Sequence, residues 1–489
     1  MLDEVQVRRN KLEALQARGI DPYPKTTQRD TTCAFALEKF EQFSQEKKNI
    51  TLAGRVMSIR VHGGMMFADV VDGTAQIQAT FKEDEIGSEV FTLFRDSIDP
   101  GDIVETTGML FTTKRGEKSL LVSAWNILSK ALLPLPEKWH GLQDVEKRYR
   151  ERELDILTNH EVRERFVMRS KLVSAMRDFL NERDFLEVET PILQPIPGGA
   201  SARPFQTHHH ALDMELYLRI SPEMYLKRLI VGGLEKVYEI GRCFRNEGID
   251  YSHNPEFTMI ELYWAYADKV TFVSMLEELL TYCIRKTRGS LLITSEQGEI
   301  DFTGPWKRTT FKQSIIDACG IDIDEYQNEE SLIAAVQEKG LKIDFTGCIG
   351  LGEVFDQLFK KTARQNFVQP IWVFDYPISL KPLANVSPED PSKSASVQLV
   401  VRGAEIINAY YHELHDPIEQ RRRLMEQQSL REAGSQDAQF LDEAFLRSLE
   451  HGMPPTCGMG IGIDRLAAMV VGVPSLKESI IFPTLRSEN

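Results

Sequence analysis

Two short stretches of the 489-residue chain carry more reactive side chains than their surroundings. In KVYEIGRCFRNEG, alternation places Glu239, Arg245 and Glu247 on one face of an extended segment. In EFTMIELYWAYAD, Phe257, Met259, Glu261 and Tyr263 share one face, and Ile260, Leu262, Trp264 and Tyr266 share the other. The second set reads as core, so the first looks into a cavity and offers it a ring, a carboxylate and a phenol. Between the stretches, GIDYSHNP is a polar loop long enough to fold over a ligand. An arginine beside such a loop suits a phosphate or carboxylate, because its planar fork donates two parallel hydrogen bonds. An ion pair of Arg245 with Glu247 or Glu239 explains it equally well.

A third stretch, TCGMGIGIDRLAAMVVG, is a strand with alternate glycines (Gly458, Gly460, Gly462) running into an apolar helix, with Asp464 at the expected N-cap and Arg465 next to it. Alternate glycines let a ligand approach the backbone, and a close helix–strand contact accounts for them as well. The spacing is not a dinucleotide fingerprint, and no P-loop is present.

These side chains need a rigid platform. EVRERFVMRSKLVSAMRDFL carries a stripe of Phe166, Arg169, Leu172, Val173, Met176, Phe179 and Leu180 at helical spacing, and an alternating strand follows that stops at Pro191. Strands cluster at about 217–267 and 370–412 without βαβ regularity, which predicts an antiparallel sheet flanked by helices, an α+β domain. Residues 268–365 read as a mainly helical insertion. Upstream, ITLAGRVMSIRV, MMFADVV, TAQIQATF, DIVETTGMLF and SLLVSAWNIL predict five strands of a small β-barrel. In that barrel Met66, Ala68, Val70, Ala75, Ile77, Ala79 and Phe81 point inward, and Phe67, Asp69, Gln76, Gln78 and Thr80 outward. An outward ring beside amides suits single-stranded RNA, where a base stacks and its edge is hydrogen-bonded; a stray surface Phe is the plainer reading. The expected division is a helical extension (1–49), the barrel (50–132), a linker (133–160) and the larger domain (161–489).

Composition narrows the function without naming it. The net charge of −15 argues against non-specific nucleic-acid binding but leaves room for a local basic surface. The six cysteines are scattered with no CxxC pair, so neither a disulfide framework nor a zinc site is expected. No apolar run approaches the roughly 20 residues that span a bilayer, and the amino terminus lacks the apolar stretch of a signal peptide. A cytoplasmic protein is expected. His208, His209 and His210 fall on alternating faces of an extended segment and cannot all converge on one ion.

In their order, the helix–strand, the Arg245 hairpin and the glycine strand resemble the three signature motifs of class II aminoacyl-tRNA synthetases. GGASARPFQTHHHALDMELYLRISPEMYLKRLIVGG, FRNEGIDYSHNPEFTMIELYWAYAD, NAY followed by ELHDP, and PPTCGMGIGIDRL resemble lysyl-tRNA synthetases nearly residue for residue. RRNKLEALQARGIDPYP, the barrel and the linker do so too; only 268–365 matches loosely. The resemblance implies an OB-type anticodon-binding barrel followed by a class II catalytic domain, acting as a homodimer on ATP, L-lysine and tRNA(Lys) with Mg²⁺. It implies that Arg245 and Arg465 are catalytic, with Arg245 on the α-phosphate and in reach of the amino acid, and Glu247 reading the adenine amino group. Phe257 and Arg465 would sandwich the adenine, with His253, Asn254 and Glu405 completing the nucleotide site. Glu261 and Glu413 would hold the substrate side-chain ammonium, with Tyr263 beside them. Gly199 and Glu223 would take the α-amino group, Asn408 the carboxylate, and Tyr410 the methylene stem. Phe67 and Gln78 would read anticodon bases.

Two departures from the family stand out. The metal-binding carboxylate expected seven residues before Glu405 is Gln398, and a neutral amide is a weaker Mg²⁺ ligand. One extra residue lies between Asn408 and Glu413, which leaves Tyr410 and Tyr411 as alternatives for the stem contact. Competing readings are an aspartate or asparagine enzyme, a relative that lysylates protein or lipid, and a non-catalytic paralogue. The carboxylates at 261 and 413, the retained barrel, and the retained Arg245 and Arg465 respectively argue against them.

Overall fold

The computed structural model describes residues 2–136, 144–250, 253–435 and 438–487. They form two compact units, Met1–Leu142 and Gln143–Asn489.

In the first unit, helix Leu2–Ala17 and two short helices, Cys33–Glu38 and Phe40–Gln45, precede the barrel; residues 18–32, expected within a helical extension, contain no helix. Asp21, Pro22 and Pro24 fall in that stretch, where proline removes backbone donors and fixes φ. Five strands follow: β1 (Asn49–His62), β2 (Met65–Val71), β3 (Gln76–Lys82), β4 (Ile103–Thr112) and β5 (Lys118–Ser129). They close in the order β1-β2-β3-β5-β4, with β4 returning to β1. Met66, Ala68, Val70, Ile77, Ala79 and Phe81 are all buried inside, as a period of two requires. Burying side chains of this size contributes roughly 1.5–3 kcal/mol for each large one. Phe81 stacks 4.2 Å from Phe94, which stands edge-on to Trp125 at 4.9 Å. A Cβ at Gly108 would collide with the Leu121 carbonyl, beside the register shift that bends β4 around the barrel. Thr80 was expected to face solvent but is fully buried. It lies on a central strand, paired with Phe67 of β2 on one side and Leu121 of β5 on the other.

The second unit is built on an eight-stranded sheet. Its strands are β6 (Leu186–Glu187), β7 (Lys236–Phe244), β8 (Glu256–Ala265), β9 (Lys307–Thr310), β10 (Ile371–Phe374), β11 (Ser396–Val401), β12 (Ala404–Tyr410) and β13 (Thr456–Gly462). Their order is β9-β10-β11-β12-β13-β8-β7-β6, and only the two edge pairs are parallel. The register aligns Gln398, Asn408, Gly460, Glu261 and Glu239 across five strands, and Tyr410, Gly458 and Tyr263 in a neighbouring row. On the opposite face Ile260, Leu262, Ile407 and Ile461 join one core with helices His160–Asn181, Lys269–Arg288 and Ile463–Val471. This explains the stripe of the first helix, of which Leu172, Met176, Phe179 and Leu180 are fully or almost fully buried.

Two expectations change here. Tyr266 was assigned to the core face of β8 but is 67% exposed. The strand ends at Ala265, and Tyr266 turns the chain with φ +64°, so alternation no longer applies. Residues 268–365 are mainly helical, as expected, but they are built into the domain rather than inserted beside it. Lys307–Thr310 is an edge strand of the main sheet, 292–301 form a hairpin, and helix Lys269–Arg288 supplies Phe272, Leu276 and Leu279 to the central core. That helix is held by Asp268, which caps Val270 N and Thr271 N, and stops at Gly289 in the left-handed region.

Candidate active site

At one end of the open sheet face, three carboxylates meet with little access to water. Glu261 points from β8, Glu223 from the first turn of helix Glu223–Val231, and Glu413 from just beyond β12; they are 4%, 6% and 1% exposed. Lys227, one turn after Glu223 and fully buried, lies 2.6 Å from Glu223 Oε1 and 2.7 Å from Glu413 Oε2. Glu261 accepts hydrogen bonds from Ser221 Oγ at 2.7 Å and from Tyr263 OH at 3.1 Å. Burial, and then the nearby Glu223 charge, push the Glu261 carboxyl up to about 8. Burial likewise pushes Glu413 up to about 8, against the pull of Lys227. Burial disfavours the Lys227 ammonium, but Glu223 and Glu413 outweigh it and raise its pKa. Three carboxylates against one ammonium leave two negative charges when all are ionised. Such a site takes up protons when empty and suits a ligand with two ammonium groups.

One of the alternate glycines finds its reason at this site. A Cβ at Gly458 would lie on Glu413 Oε1 and within 2.7 Å of the Tyr263 ring, so the missing side chain is what admits the carboxylate. Gly199, at φ +84°, would place a Cβ 2.7 Å from Glu223 Cβ and from Ser221 Oγ. Glycine there meets both a backbone and a space requirement.

At the other end of the same face, Asn408 Oδ1 accepts from Lys381 Nζ at 2.7 Å and from Gln398 Nε2 at 3.1 Å. Gln398 Oε1 accepts in turn from Tyr376 OH at 2.7 Å. The Asn408 side chain also hydrogen-bonds the neighbouring Tyr410. Tyr410 shares this face, with Lys227 and Lys381 each 6.0 Å from its ring. Tyr411 points the other way, into the core, where its OH bonds Asp375 at 2.7 Å. The extra residue is absorbed after β12, where 411–412 bend before Glu413 N bonds Thr456 O at 2.8 Å. Glu413 thus reaches the pocket despite the longer segment.

Beside these lies the arginine cleft. The Arg245 guanidinium is 5.0 Å from the Phe257 ring, and its buried Nε has no hydrogen-bond partner among the described residues. Neither Glu247 nor Glu239 pairs with it: Glu247 is exposed, and Glu239 is buried against Arg219 and accepts from Thr190 Oγ1 at 2.6 Å. Arg465 Nη1 donates to Glu405 O at 2.8 Å, and burial lowers the Arg465 pKa. Asp464 does not cap the last helix. Gly462 takes that position, and the buried Asp464 carboxylate instead accepts from Arg169 Nη2 at 2.6 Å and Thr258 N at 2.8 Å. Asn254 is buried, donating to Glu256 O at 2.6 Å and accepting from Thr484 N at 3.1 Å. His253 is exposed and 3.0 Å from Asp250; residues 251 and 252 of its loop lie outside the described residues.

The residues foreseen for a metal fit only in part. Glu405 is a part-buried carboxylate that makes no ion pair among the described residues. Gln398 is neutral and already held at both ends by Tyr376 and Asn408. They amount to one protein carboxylate for an ion that ATP phosphates would otherwise hold.

On the outer face of the barrel, Phe67 stands part-buried, 6.5 Å from the His62 ring. Gln78 donates to Ser119 Oγ at 2.8 Å and accepts from Arg60 Nη2 at 3.2 Å. Arg60 also pairs with Asp69 at 3.0 Å.

Sequence reasoning missed three members of the pocket: Ser221, Lys227 and Lys381. The i, i+4 spacing of Glu223 and Lys227 was visible, but the same spacing on an exposed helix is an ordinary surface pair.

Residues 144–486 match the family model of class II tRNA synthetases (D, K and N), and residues 50–128 match that of the OB-fold nucleic acid binding domain. The lysine–tRNA ligase of Syntrophomonas wolfei subsp. wolfei is 46% identical, covering 98% of this chain and 96% of its own length. Those of Moorella thermoacetica (45%; 99% and 98%) and Roseiflexus castenholzii (47%; 99% and 99%) are similar over the same extent. No described helix is long and apolar enough to cross a membrane. The chain belongs to the lysine–tRNA ligase family of class II tRNA synthetases.

Proposed function

We propose that this protein activates L-lysine with ATP and transfers it to the 3′ end of tRNA(Lys). The observation that carries the reading is the buried cluster of Glu223, Glu261 and Glu413, in which Lys227 is the one ion-paired cation among the described residues. Lysine brings two ammonium groups, one for Glu223 at the α-amino end and one for Glu261 and Glu413, with Tyr263 beside them. A buried ammonium without such partners would not overcome its desolvation. An aspartate substrate would instead meet three carboxylates.

The reaction follows from this placement. Tyr410 packs on the methylene stem, Gly199 leaves room for the α-amino group, and the amide nitrogen of Asn408 donates to the carboxylate. A carboxylate oxygen attacks the α-phosphorus in line, and the bond to pyrophosphate breaks. Arg245 neutralises the α-phosphate, its guanidinium already stacked near Phe257, while Phe257 and Arg465 hold the adenine between them. Glu247, His253 and Asn254 close over the nucleotide. Such a transfer rests on positioning and charge neutralisation, and needs no dedicated base. When bound, Mg²⁺ supplies further neutralisation of phosphate charge, with Glu405 as its protein ligand. The 3′ hydroxyl of tRNA then attacks the acyl carbon and AMP leaves. Phe67 stacks on an anticodon base and Gln78 reads an edge.

The same reading makes the enzyme a homodimer, supported by exposed Leu186 on edge strand β6 and exposed Ile192 and Leu193 shortly after it. Its compartment is the cytoplasm, where translation requires it. Amino-acid-dependent exchange of pyrophosphate into ATP tests the proposal. Exchange with lysine alone among the twenty amino acids is expected; exchange with aspartate, or with none at any Mg²⁺ concentration, overturns it.

A further inference from the structure

The pocket holds two lysines in opposite circumstances. Lys227 has two carboxylates within 2.7 Å. Lys381, which follows the 3₁₀ turn Ile378–Leu380, has none: among the described residues its ammonium makes no ion pair. Its neighbours are the Asn408 Oδ1 at 2.7 Å, the Tyr376 ring at 5.0 Å and the Tyr410 ring at 6.0 Å. Burial lowers its pKa against the more distant pull of Glu405 and Asp356. A part-buried ammonium held by a neutral amide oxygen and two aromatic faces is incompletely compensated. Beside it stands Gln398, neutral where the family resemblance implies an acidic ligand.

We propose that Lys381 is an anion-holding residue of the active site: its ammonium takes an anionic oxygen of the reacting pair, and so supplies charge neutralisation that the Gln398 corner cannot obtain from a second protein-bound metal ion. The proposal rests on the lysine-activating reading. Its geometry favours the amino-acid carboxylate, because Lys381 holds the Oδ1 of Asn408, the residue that the lysine-activating reading assigns to that carboxylate. The α-phosphate carries the same chemistry and is the other source.

The test is calorimetric binding to the full-length protein without added metal, using L-lysine, L-lysinamide and ATP as separate probes. Wild-type protein that fails to bind L-lysine would overturn the underlying reading rather than this one. With wild-type binding established, Lys381→Met is expected to weaken L-lysine about 10- to 100-fold, the effect of losing a charged hydrogen bond. L-Lysinamide, which keeps both amines but lacks the carboxylate, should change less than about twofold and also reports that the pocket is folded. Lys381→Arg should restore L-lysine binding to within about threefold of wild type. Weaker ATP binding with unchanged L-lysine binding would support the proposal and assign the anion to the α-phosphate. Unchanged binding of both, or equal loss for L-lysine and L-lysinamide, would overturn it.

Discussion

The two ends of the pocket use the same residue type for opposite purposes. At the Glu261 end, Lys227 is a resident counter-ion: it offsets one of three buried carboxylates and leaves a deficit that a diamine can fill. At the Asn408 end, Lys381 makes no ion pair among the described residues, and on the proposal above its charge is turned to what arrives. A buried charge is thus informative by what remains unbalanced around it. Substrate polarity follows, with ammonium groups drawn to one end and the reacting carboxylate to the other.

Breaking the acidic end should have the largest effect. Glu261→Gln or Glu413→Gln removes a partner of a desolvated ammonium, which costs about 3–5 kcal/mol. Pyrophosphate exchange with lysine should therefore lose roughly 150- to 5,000-fold in kcat/KM, most of it in KM, as steady-state rates over a lysine series would reveal. A loss below tenfold would mean that these carboxylates do not hold the substrate. Gly458→Ala sharpens the same point without altering charge. Its Cβ would occupy the space of Glu413 Oε1, so lysine binding should fall by at least about tenfold while ATP binding persists.

Proton linkage separates the ends more gently. Glu261 and Glu413 have pKa values raised to about 8 in the empty pocket, so they carry protons at pH 7, and an incoming ammonium favours their ionised forms. Lysine binding at pH 7 should release protons, read as a dependence of the calorimetric enthalpy on buffer ionisation. Lysine affinity should rise between pH 6 and 8. For folding the sign is the reverse. A carboxyl raised above its unfolded value stabilises the fold most at low pH, and that contribution fades as pH rises from about 4.3 toward the folded pKa. Proton uptake on lysine binding would contradict this account.

At the other end, Gln398→Glu restores a carboxylate beside Glu405 and should lower the Mg²⁺ concentration for half-maximal exchange several-fold; an unchanged Mg²⁺ dependence would show that Gln398 does not limit metal binding. The smallest effect on activation should come from the barrel. Phe67→Ala is expected to raise KM for tRNA about 5- to 100-fold, since stacking is worth about 1–3 kcal/mol per base, while pyrophosphate exchange stays within about twofold.

Wherever period-two alternation sets the outcome, the sequence was legible. The inward set of the barrel and the two faces of β8 could be read directly, because strand geometry fixes side-chain direction. Alternation failed at Tyr266, where a positive φ ended the strand, and at Thr80, which is buried on a strand paired on both sides. Asp464 looked like an N-cap until the helix began two residues earlier and freed its carboxylate for Arg169 and Thr258. The glycines of β13 had two explanations in the sequence, ligand approach and helix–strand contact; at Gly458 the fold supplies a third, because Glu413 occupies the space of the missing side chain.

By itself, then, the sequence determined the strand faces, the barrel, the order of the three motifs and the family that they identify, since each depends on local periodicity or on residues close together in the chain. Tertiary structure decided the charge balance. Glu223, Glu261 and Glu413 come from three separate segments, and whether Lys227 or Lys381 is paired depends on distances of a few ångströms between segments far apart in sequence. The energy of a charge depends steeply on such distances and on the exclusion of water, and neither is written in the order of the residues.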